Sequence, residues 1–553
     1  MLQMIGKTKR AENTDKKISG NNFISGVFVL SFSTVLVKII GLLYKIPMLS
    51  LLGAEGMGYF NSAYEIFALI CIISTTGLPV ALSMKISQIV ALDKNSGEAR
   101  RIFGSAMRMA LLFGIVGTFA LAFGASQISS LVGNYDSVYC IIAIAPSVFF
   151  VCISSVYRGY FQGMNNMHPT AVSQIIEVAG KLLLGVVFAY ISLKRGMNIP
   201  TSAAFAALGL TLGMFFSCVY LVIQKRTKKY IIVKNNNEFN SDKKYFGTLL
   251  KIAIPITLSS LIVGTTRIMD MALIMRRMQD TGTSIFDANK LYGAYTTLAL
   301  PIFSLVPSLI SPISLALIPN LTAAIEKKNI SEQSEIGKNA IRLTLLLAVP
   351  SSLGIAFFSN AILNILFSNE TNNIAIVSPL LAVLGVSVLF SCLITTTNAI
   401  LHSYKKTFLP IIAMLCGAGV KFVSEYFLIG NSSVGMFGAP ISTLLCDMTI
   451  AFINLVNVLK CAPQINDIIS NLWRVFLASL LSVGAARTLY GVSYNMADSV
   501  LLSFLPAVLV AVILYFILVY ATKAVLLDDL TLLPKTDKIL NLIKNTKRRK
   551  NYK

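Results

Sequence analysis

The sequence predicts an all-α polytopic membrane protein with about 14 transmembrane helices, built as two pseudo-symmetric six-helix lobes plus two extra C-terminal helices. The composition supports this fold class. Hydrophobic residues make up 55% of the 553 residues and charged residues 13%, whereas a soluble domain carries about 25% charged residues. The apolar residues form runs of roughly 20, the length of a helix that crosses the hydrocarbon core. Features of the first half also recur in the second.

The recurrence is visible in the spacing of prolines and lysines. Pro79 lies fifteen residues before Lys94, and Pro312 lies fifteen residues before Lys327. The two pairs are therefore offset by 233 residues. Duplicated halves in one orientation are known from transporters, in which the substrate binds between the halves.

The apolar runs place the spans along the chain as follows. The first half contains spans at 23–43, 59–82, 102–122, 138–160, 170–192 and 203–224. The second half contains spans at 246–270, 292–318, 340–358, 376–401, 408–430 and 438–459, and two more follow at 473–492 and 499–522. The predicted domains are a tail 1–22, an N-lobe 23–224, a linker 225–245, a C-lobe 246–460, two helices in 473–522 and a basic tail 523–553.

Basic residues predict the orientation of these spans. Most of the 47 Lys and Arg fall in alternate connections that share one side, and cytoplasmic loops are the ones enriched in Lys and Arg. An even number of spans then puts both termini on the cytoplasmic side of the cell membrane. We interpret the net charge of +23 as a sign of orientation and of contact with anionic membrane lipids, rather than of nucleic-acid binding.

The eighth span contains Pro301, Pro307 and Pro312. Proline removes a backbone hydrogen bond and kinks a helix, which membrane helices tolerate where neighbours or water satisfy the freed carbonyl. We therefore expect a bent helix that lines a cavity or hinge. The alternative is that proline is simply common in membrane helices.

Catalytic chemistry has little support in the sequence. The chain has only two histidines, His168 and His402, and no HExxH, GxSxG or Walker motif. Its eight cysteines are scattered without a CxxC pair and are interpreted as small buried hydrophobes. We therefore expect no enzymatic activity, no cofactor and no metal site.

Charges inside the spans are the candidate functional groups, because a charge at the bilayer centre costs at least about 2.5–3.5 kcal/mol. Glu177 and Lys181 are spaced i, i+4 in the fifth span, and Lys421 and Glu425 repeat that spacing in reverse order in the eleventh. Such pairs can neutralise each other within a helix. A structural role and an ion-coupling role both stay open for them.

Lys38 and Arg267 are the predicted anion-binding residues. Lys38 has no acid within four residues, and Lys45 follows seven residues later in roughly the same direction. Arg267 occupies about the equivalent place in the second half and forms an i, i+3 pair with Asp270. We expect Lys38 and Arg267 to converge on one wet cavity, where cations suit a phosphate or pyrophosphate. A structural ion pair between Lys38 and Glu65 is the alternative.

A motif in the first half resembles a known family. It consists of SSVYRGYFQG at 154–163, then Met167, Pro169-Thr170-Ala171, Ser173-Gln174 and Glu177, with GAEGMGY at 53–59 and GLPVALS at 77–83. The chain resembles the polysaccharide-biosynthesis flippases of the stage V sporulation protein B type. These belong with the MurJ-type lipid II flippases in the multidrug/oligosaccharidyl-lipid/polysaccharide exporter superfamily. The resemblance extends over nearly the whole chain.

The resemblance implies a central cationic cavity that alternates its opening between two lobes. The implied substrate is an undecaprenyl-pyrophosphate-linked saccharide, with lipid II or a spore-cortex precursor as leading candidates. Arg158 and Gln162 of the motif then join Lys181 as candidate substrate-binding residues. Lys181 stands where we associate the family with arginine, so it keeps the charge but loses the bidentate fork. Glu65 and the acids of the three pairs are candidates for binding a coupling cation.

Other functions stay open. A multidrug antiporter for organic cations would need acidic and aromatic cavity walls, and a flippase for teichoic or capsular precursors would differ only in its cargo. A membrane-embedded glycosyl- or acyltransferase would need clustered His or Asp at one membrane face. A non-transporting scaffold for a cell-wall synthesis complex is a further alternative, and that machinery is a candidate partner. We expect a monomer.

Overall fold

The computed structural model describes residues 2–92, 98–164, 166–227, 242–462, 469–497 and 499–522, and this part of the chain contains no β-strand. The N-terminal helices are α1 Leu2–Thr75, α2 Gly77–Leu92, α3 Glu98–Val132, α4 Val138–Gly163, α5 His168–Lys194 and α6 Ile199–Thr227. They are followed by α7 Asp242–Asp280, α8 Ile285–Ala294, a π segment Tyr295–Ala299, α9 Leu300–Glu326, α10 Ile330–Leu366 and α11 Thr371–Ser403. The last helices are α12 Phe408–Ile429, α13 Gly438–Cys461, α14 Ile469–Ala497 and α15 Val500–Ala521.

The all-α polytopic fold is confirmed. The described residues contain 13 segments that are long and apolar enough to cross a membrane. The first of them, Ser33–Ile89, has 57 residues and takes in most of the first two predicted spans. The other segments each contain or overlap one further predicted span. Helix α1 begins at Leu2, inside the predicted tail 1–22. The predicted tail 523–553 and most of the predicted linker lie outside the described residues.

Gly53 lies inside α1, between the first and the second predicted span. Its φ is 65° and its ψ is 179°, which is a non-helical conformation inside an otherwise helical segment. Side chains rarely adopt this region of φ and ψ, so glycine is the residue that fits. The turn at Gly53 lets the chain leave the first span and enter the second without a long loop.

Helices α5 and α6 pack closely because glycines face each other. A Cβ on Gly180 would lie 2.5 Å from the Cα of Gly213, and a Cβ on Gly209 would lie 2.2 Å from the backbone nitrogen of Gly185. Small residues let membrane helices approach each other where a hydrophobic driving force is absent. The close approach fixes the rotation of α5, and with it the direction of Lys181 beside Gly180.

The chain folds into two compact units. The first comprises Met1–Pro312, Asn369–Leu380 and Met414–Cys446, and the second comprises Ile313–Ser368, Leu381–Ala413 and Asp447–Lys553. In the first unit, α7 packs against α1, α2 and α3, and α8 packs against α1. This division differs from the predicted boundary between two six-helix lobes, which stays a prediction.

The second unit has an apolar core with a few internal polar contacts. Its largest cluster includes Leu321, Ile400 and Val458, all fully buried. The hydroxyls of Thr344 and Thr396 are 2.6 Å apart inside this core, which joins α10 to α11. These contacts indicate a structural unit, and every charged candidate site residue of the sequence lies in the first unit instead.

We predict that Gly53→Ala lowers the stability by about 1–3 kcal/mol, because alanine must adopt a backbone conformation that only glycine tolerates. Thermal unfolding of the purified protein in detergent measures the effect. The matched control is Gly41→Ala, at a helical position of α1 where an added Cβ meets nothing within 4 Å. Gly41→Ala should be neutral or stabilising. Equal effects of the two substitutions would contradict the explanation.

Candidate functional site

Most of the charged side chains singled out in the sequence come from four helices of the first unit. They are Lys38, Lys45 and Glu65 on α1, Glu177 and Lys181 on α5, Arg267 and Asp270 on α7, and Lys421 and Glu425 on α12. Arg158 and Gln162 lie on α4, also in this unit. The first unit therefore contains charged residues from both predicted halves of the sequence.

Lys38 and Arg267 lie within electrostatic range of each other. Both side chains are exposed, and 59% of the Arg267 side chain is accessible. Arg267 NH1 lies 4.0 Å from Glu65 Oε2, which is a loose ion pair. In the described part of the chain Lys38 makes no ion pair, so the alternative Lys38–Glu65 pair is wrong. The convergence of Lys38 and Arg267 on one wet cavity stays a prediction.

Lys45 has a different neighbourhood from Lys38. Its Nζ donates a hydrogen bond of 2.6 Å to the backbone oxygen of Thr296, in the π segment. Leu300 N–H donates to Tyr295 O, five residues back. With the same spacing of five residues, the Thr296 carbonyl would accept a hydrogen bond from residue 301. That residue is proline, which has no N–H. Lys45 thus satisfies a carbonyl that Pro301 leaves without its helical partner.

Lys181 is enclosed by aromatic side chains of α1. Its Nζ lies 4.6 Å from the ring centroid of Tyr44, 5.1 Å from that of Phe60 and 4.7 Å from that of Tyr64. Cations are attracted to ring faces at such distances, more strongly where water is excluded. These three aromatic residues were not predicted from the sequence, since aromatic residues are frequent throughout its spans.

Ion pairs form between helices, where the sequence suggested pairs within helices. Glu177 Oε2 lies 2.8 Å from Arg158 NH2, on α4, rather than pairing with Lys181. Arg158 also donates to Ser173 Oγ at 2.9 Å and to Ser217 Oγ at 3.2 Å. This network joins α4, α5 and α6. The intrahelical Glu177–Lys181 interpretation is therefore wrong.

On α7 and α12, too, the ion pair forms between the helices and not within one of them. Asp270 Oδ2 lies 2.5 Å from Lys421 Nζ, which joins the two helices. Asp270 is thus not the ion-pair partner of Arg267, and the Lys421 ammonium is not hydrogen-bonded to Glu425. Glu425 is 1% exposed. Neither of its carboxylate oxygens has a hydrogen-bond partner among the described residues.

Gln162 lies at the end of α4, one turn after Arg158 and next to the final residue Gly163. Its side chain is half-buried. Arg158 and Gln162 are one turn apart on one helix face. The hydrogen bonds and the ion pair of Arg158 leave its side chain only 16% exposed. A substrate-binding role of Gln162 stays a prediction.

Buried amide side chains join α1 to the π segment, and the connection between α3 and α4 to α8. Asn61 Nδ2 donates to Thr296 Oγ1 and to Thr297 Oγ1, each at 2.9 Å. Asn134 Nδ2 donates to Asn289 Oδ1 at 2.8 Å. All five residues are at least nine-tenths buried. The predicted orientation of the spans places these residues near the outer side of the membrane. Their hydrogen bonds connect the two halves of the sequence.

Solved structures of membrane transporters have this fold. The lipid II flippase MurJ in an inward closed conformation aligns with a TM-score of 0.62 and 18% identity, covering 89% of this chain and 98% of that one. A multidrug resistance MATE family transporter of the MOP superfamily, in its inward-facing conformation, aligns with a TM-score of 0.61 and 15% identity, covering 79% and 99%. The chain therefore shares the fold of these transporters.

The chain belongs to the polysaccharide biosynthesis protein family, whose model matches residues 23–325, more than half of its length. Residues 290–427 also match the MatE family model. Stage V sporulation protein B of Bacillus subtilis (strain 168) is 24% identical over 443 residues, covering 80% of this chain and 84% of that protein. Lipid II flippase MurJ of the same organism is 26% identical over 430 residues, covering 74% and 78%.

We predict that Lys45→Met lowers the stability by about 1–3 kcal/mol, because the Thr296 carbonyl loses its partner. The double variant Lys45→Met/Pro301→Ala should recover part of this loss, since alanine at 301 supplies an N–H. Thermal unfolding of the four proteins of this double-mutant cycle tests the coupling. Strictly additive effects would contradict the assignment of Lys45 to the π segment.

We predict that Arg158→Met lowers the stability by about 1.5–3 kcal/mol, because Glu177 loses a charge-assisted hydrogen bond in a largely buried setting. The matched control is Arg195→Met, at an exposed position just after α5, which should change stability by less than about 0.5 kcal/mol. Comparable losses in thermal unfolding for both variants would argue against the three-helix network.

Proposed function

We propose that this protein is a flippase that moves an undecaprenyl-pyrophosphate-linked saccharide across the cytoplasmic membrane by alternating access. Lipid II or a related peptidoglycan or spore-cortex precursor is the cargo that we favour. The observation that carries the proposal is the proximity of Lys38 and Arg267, two exposed cations from different halves of the sequence. The family membership and the flippases among the relatives support it.

Electrostatics favours an anion at Lys38 and Arg267. Lys38 and Arg267 carry like charges, which repel each other in a poorly screened setting. Glu65 compensates only Arg267, through a contact of 4.0 Å. A pyrophosphate presents several acceptor oxygens and would relieve the repulsion through charge-assisted hydrogen bonds. Arg267 can bind a phosphate through two parallel N–H groups, and Lys38 acts as a point charge.

The other predicted substrate-binding cations are assigned positioning roles. Lys45 is hydrogen-bonded to the π segment, Lys181 lies among three rings, and Arg158 holds α4, α5 and α6 together. Their positive charges still make the electrostatic potential around Lys38 more positive. In the proposed cycle the pyrophosphate enters from the cytoplasmic side while the polyprenyl tail stays in lipid. The membrane potential, worth about 2.3 kcal/mol per charge per 100 mV, can drive the return of the empty carrier.

A multidrug antiporter for organic cations is the second candidate. The rings of Tyr44, Phe60 and Tyr64 form the kind of surface that binds organic cations, and the MatE match and the MATE fold support this candidate. In this chain, however, the Lys181 ammonium already lies against those rings. An organic cation would have to displace or approach that charge, which disfavours its binding.

The setting of the protein follows from the same proposal. It is a multi-pass membrane protein, and we propose that both termini are cytoplasmic and face anionic lipids. Its direct ligand is the lipid-linked oligosaccharide pyrophosphate. A monomer suffices for this activity, and the cell-wall synthesis machinery is the proposed source and acceptor of the cargo.

We predict that Lys38→Gln and Arg267→Gln each reduce the flipping of fluorescently labelled lipid II in proteoliposomes by about 10- to 100-fold. Each variant removes a charge-assisted interaction worth about 1.5–3 kcal/mol. The matched control is Lys290→Gln on α8, an exposed lysine outside the charged group, which should flip lipid II at the wild-type rate.

Two results would contradict the proposal. Flipping by both variants at the rate of Lys290→Gln would rule out an anion site at Lys38 and Arg267. Transport of tetraphenylphosphonium by a wild-type protein that does not flip lipid-linked saccharides would favour the antiporter instead.

A further inference from the structure

The second unit contains an exposed arginine inside a membrane-spanning helix. The segment Trp473–Met496 of α14 is long and apolar enough to cross a membrane, and its only charged residues are Arg474 and Arg487. Arg474, near the start of the segment, donates a hydrogen bond of 3.3 Å to the backbone oxygen of Thr522. Arg487 lies ten residues before Ala497, the last residue of the helix, which corresponds to about 15 Å along the helix axis. A charge at such a depth needs a partner.

The face of α14 on which Arg487 lies is otherwise apolar and exposed. Phe476 and Leu480 lie about three and two turns before Arg487 on this face, and they are 47% and 38% exposed. Arg487 is exposed as well. Exposed apolar surface of this kind marks contact with a membrane. The guanidinium of Arg487 therefore borders lipid rather than the apolar core of the second unit.

Aromatic side chains lie against the guanidinium of Arg487. Its Cζ is 5.5 Å from the ring centroid of Tyr490, one turn further along α14, and 5.9 Å from that of Phe358 on α10. Phe358 is also the residue at which α10 leaves the helical conformation, with φ −112° and ψ 15°. Its ring packs against those of Tyr490 and Phe504, with centroids 5.8 Å and 5.7 Å apart. One aromatic cluster from α10, α14 and α15 thus holds the arginine side chain.

The ring contacts leave the hydrogen-bond donors of Arg487 unused. Within the ranges that the structure describes, this arginine forms no ion pair and donates no hydrogen bond. A guanidinium carries five N–H donors in its plane, and a ring covers only its face. The attraction to rings at an exposed site is also smaller than the cost of an arginine in an apolar span. The acceptor that Arg487 lacks therefore has to come from outside the protein.

We propose that Arg487 binds the phosphate of an acidic phospholipid in the outer leaflet, at a site positioned by the rings of Phe358 and Tyr490. In the predicted orientation α14 runs outward, so the residues after Arg487 lie toward the outer surface. Arginine can bind a phosphate through two parallel N–H groups. The acyl chains of the same lipid would lie along the exposed side chains of Phe476 and Leu480. This site does not depend on the proposed flippase function.

The depth of Arg487 suits a lipid phosphate better than bulk water. The headgroup layer takes up about 5–7 Å of the distance between Arg487 and the helix end. Tyr490 and Tyr494, one and two turns above Arg487, have stacked rings 5.9 Å apart, and tyrosine is enriched at membrane interfaces. A long side chain below this level extends toward the headgroups, where it meets phosphates before bulk water. An acidic headgroup also supplies the negative charge that water does not.

Quenching of tryptophan fluorescence by brominated lipids tests this site in vesicles. The only tryptophan, Trp473, lies at the other end of α14, so the double variant Trp473→Phe/Val492→Trp moves the reporter close to Arg487. Val492 is 60% exposed. At this reporter, brominated phosphatidylglycerol should bind about fivefold more tightly than brominated phosphatidylcholine. Arg487→Leu in the same background should lower this ratio to about one, because the remaining site is uncharged.

The matched control is Arg195→Leu in the reporter background, which removes an exposed arginine just after α5 and should keep the fivefold ratio. Arg487→Gln is a second neutral variant, and it decides if Arg487→Leu does not fold. Equal binding of the two lipids in the reporter protein, a ratio that survives in the neutral variants, or the same loss in Arg195→Leu would each overturn the proposal.

Unlabelled undecaprenyl phosphate separates the two sources of a lipid phosphate. On our proposal it relieves the quenching by brominated phosphatidylglycerol no better than unlabelled phosphatidylglycerol does. Relief at a tenfold lower concentration would assign Arg487 to a polyprenyl phosphate and overturn the phospholipid site. Because the measurement involves no transport, its outcome is separate from that of the flipping assay.

Discussion

The cost of a charge in an apolar environment is the constraint on which this structure depends. The first unit gathers five helices with candidate ionisable side chains in otherwise apolar runs, and each charge needs compensation. Compensation takes three forms here. Arg158 and Asp270 pair with residues on other helices, Lys45 donates to a backbone carbonyl, and Lys181 lies against aromatic rings. The helices are thereby fixed in their relative rotations.

In the first unit, two charged groups are left with incomplete compensation, and the first of them is the place where we propose substrate binding. Lys38 and Arg267 are exposed cations near each other, with only a distant contact to Glu65. Glu425 is a buried acid without a hydrogen-bond partner in the described residues. An anionic lipid head would complete the first of these sites.

The π segment shows how one proline can shape a site. Pro301 has no N–H, and the carbonyl of Thr296 therefore needs a partner from elsewhere. Lys45 supplies it from α1, and Asn61 adds hydrogen bonds to the neighbouring hydroxyls. A backbone irregularity in the second half of the sequence is thus joined to the first half. The helix is irregular directly before Pro301, where it forms the π segment, and the predicted bend that lines a cavity or hinge stays a prediction.

The sequence by itself determined the fold class, because apolar runs of membrane-spanning length and short polar connections are properties of the chain that need no tertiary contact. It also singled out the charged positions Lys38, Arg267 and Glu425, because a charge inside a membrane span costs free energy in whichever direction its side chain points. It did not determine the partners. Spacing favoured Glu177 with Lys181 and Arg267 with Asp270, yet Arg158 and Lys421 on other helices approach those acids. Only the packing of helices decides this, because helix rotation and crossing set distances that a one-dimensional pattern does not contain.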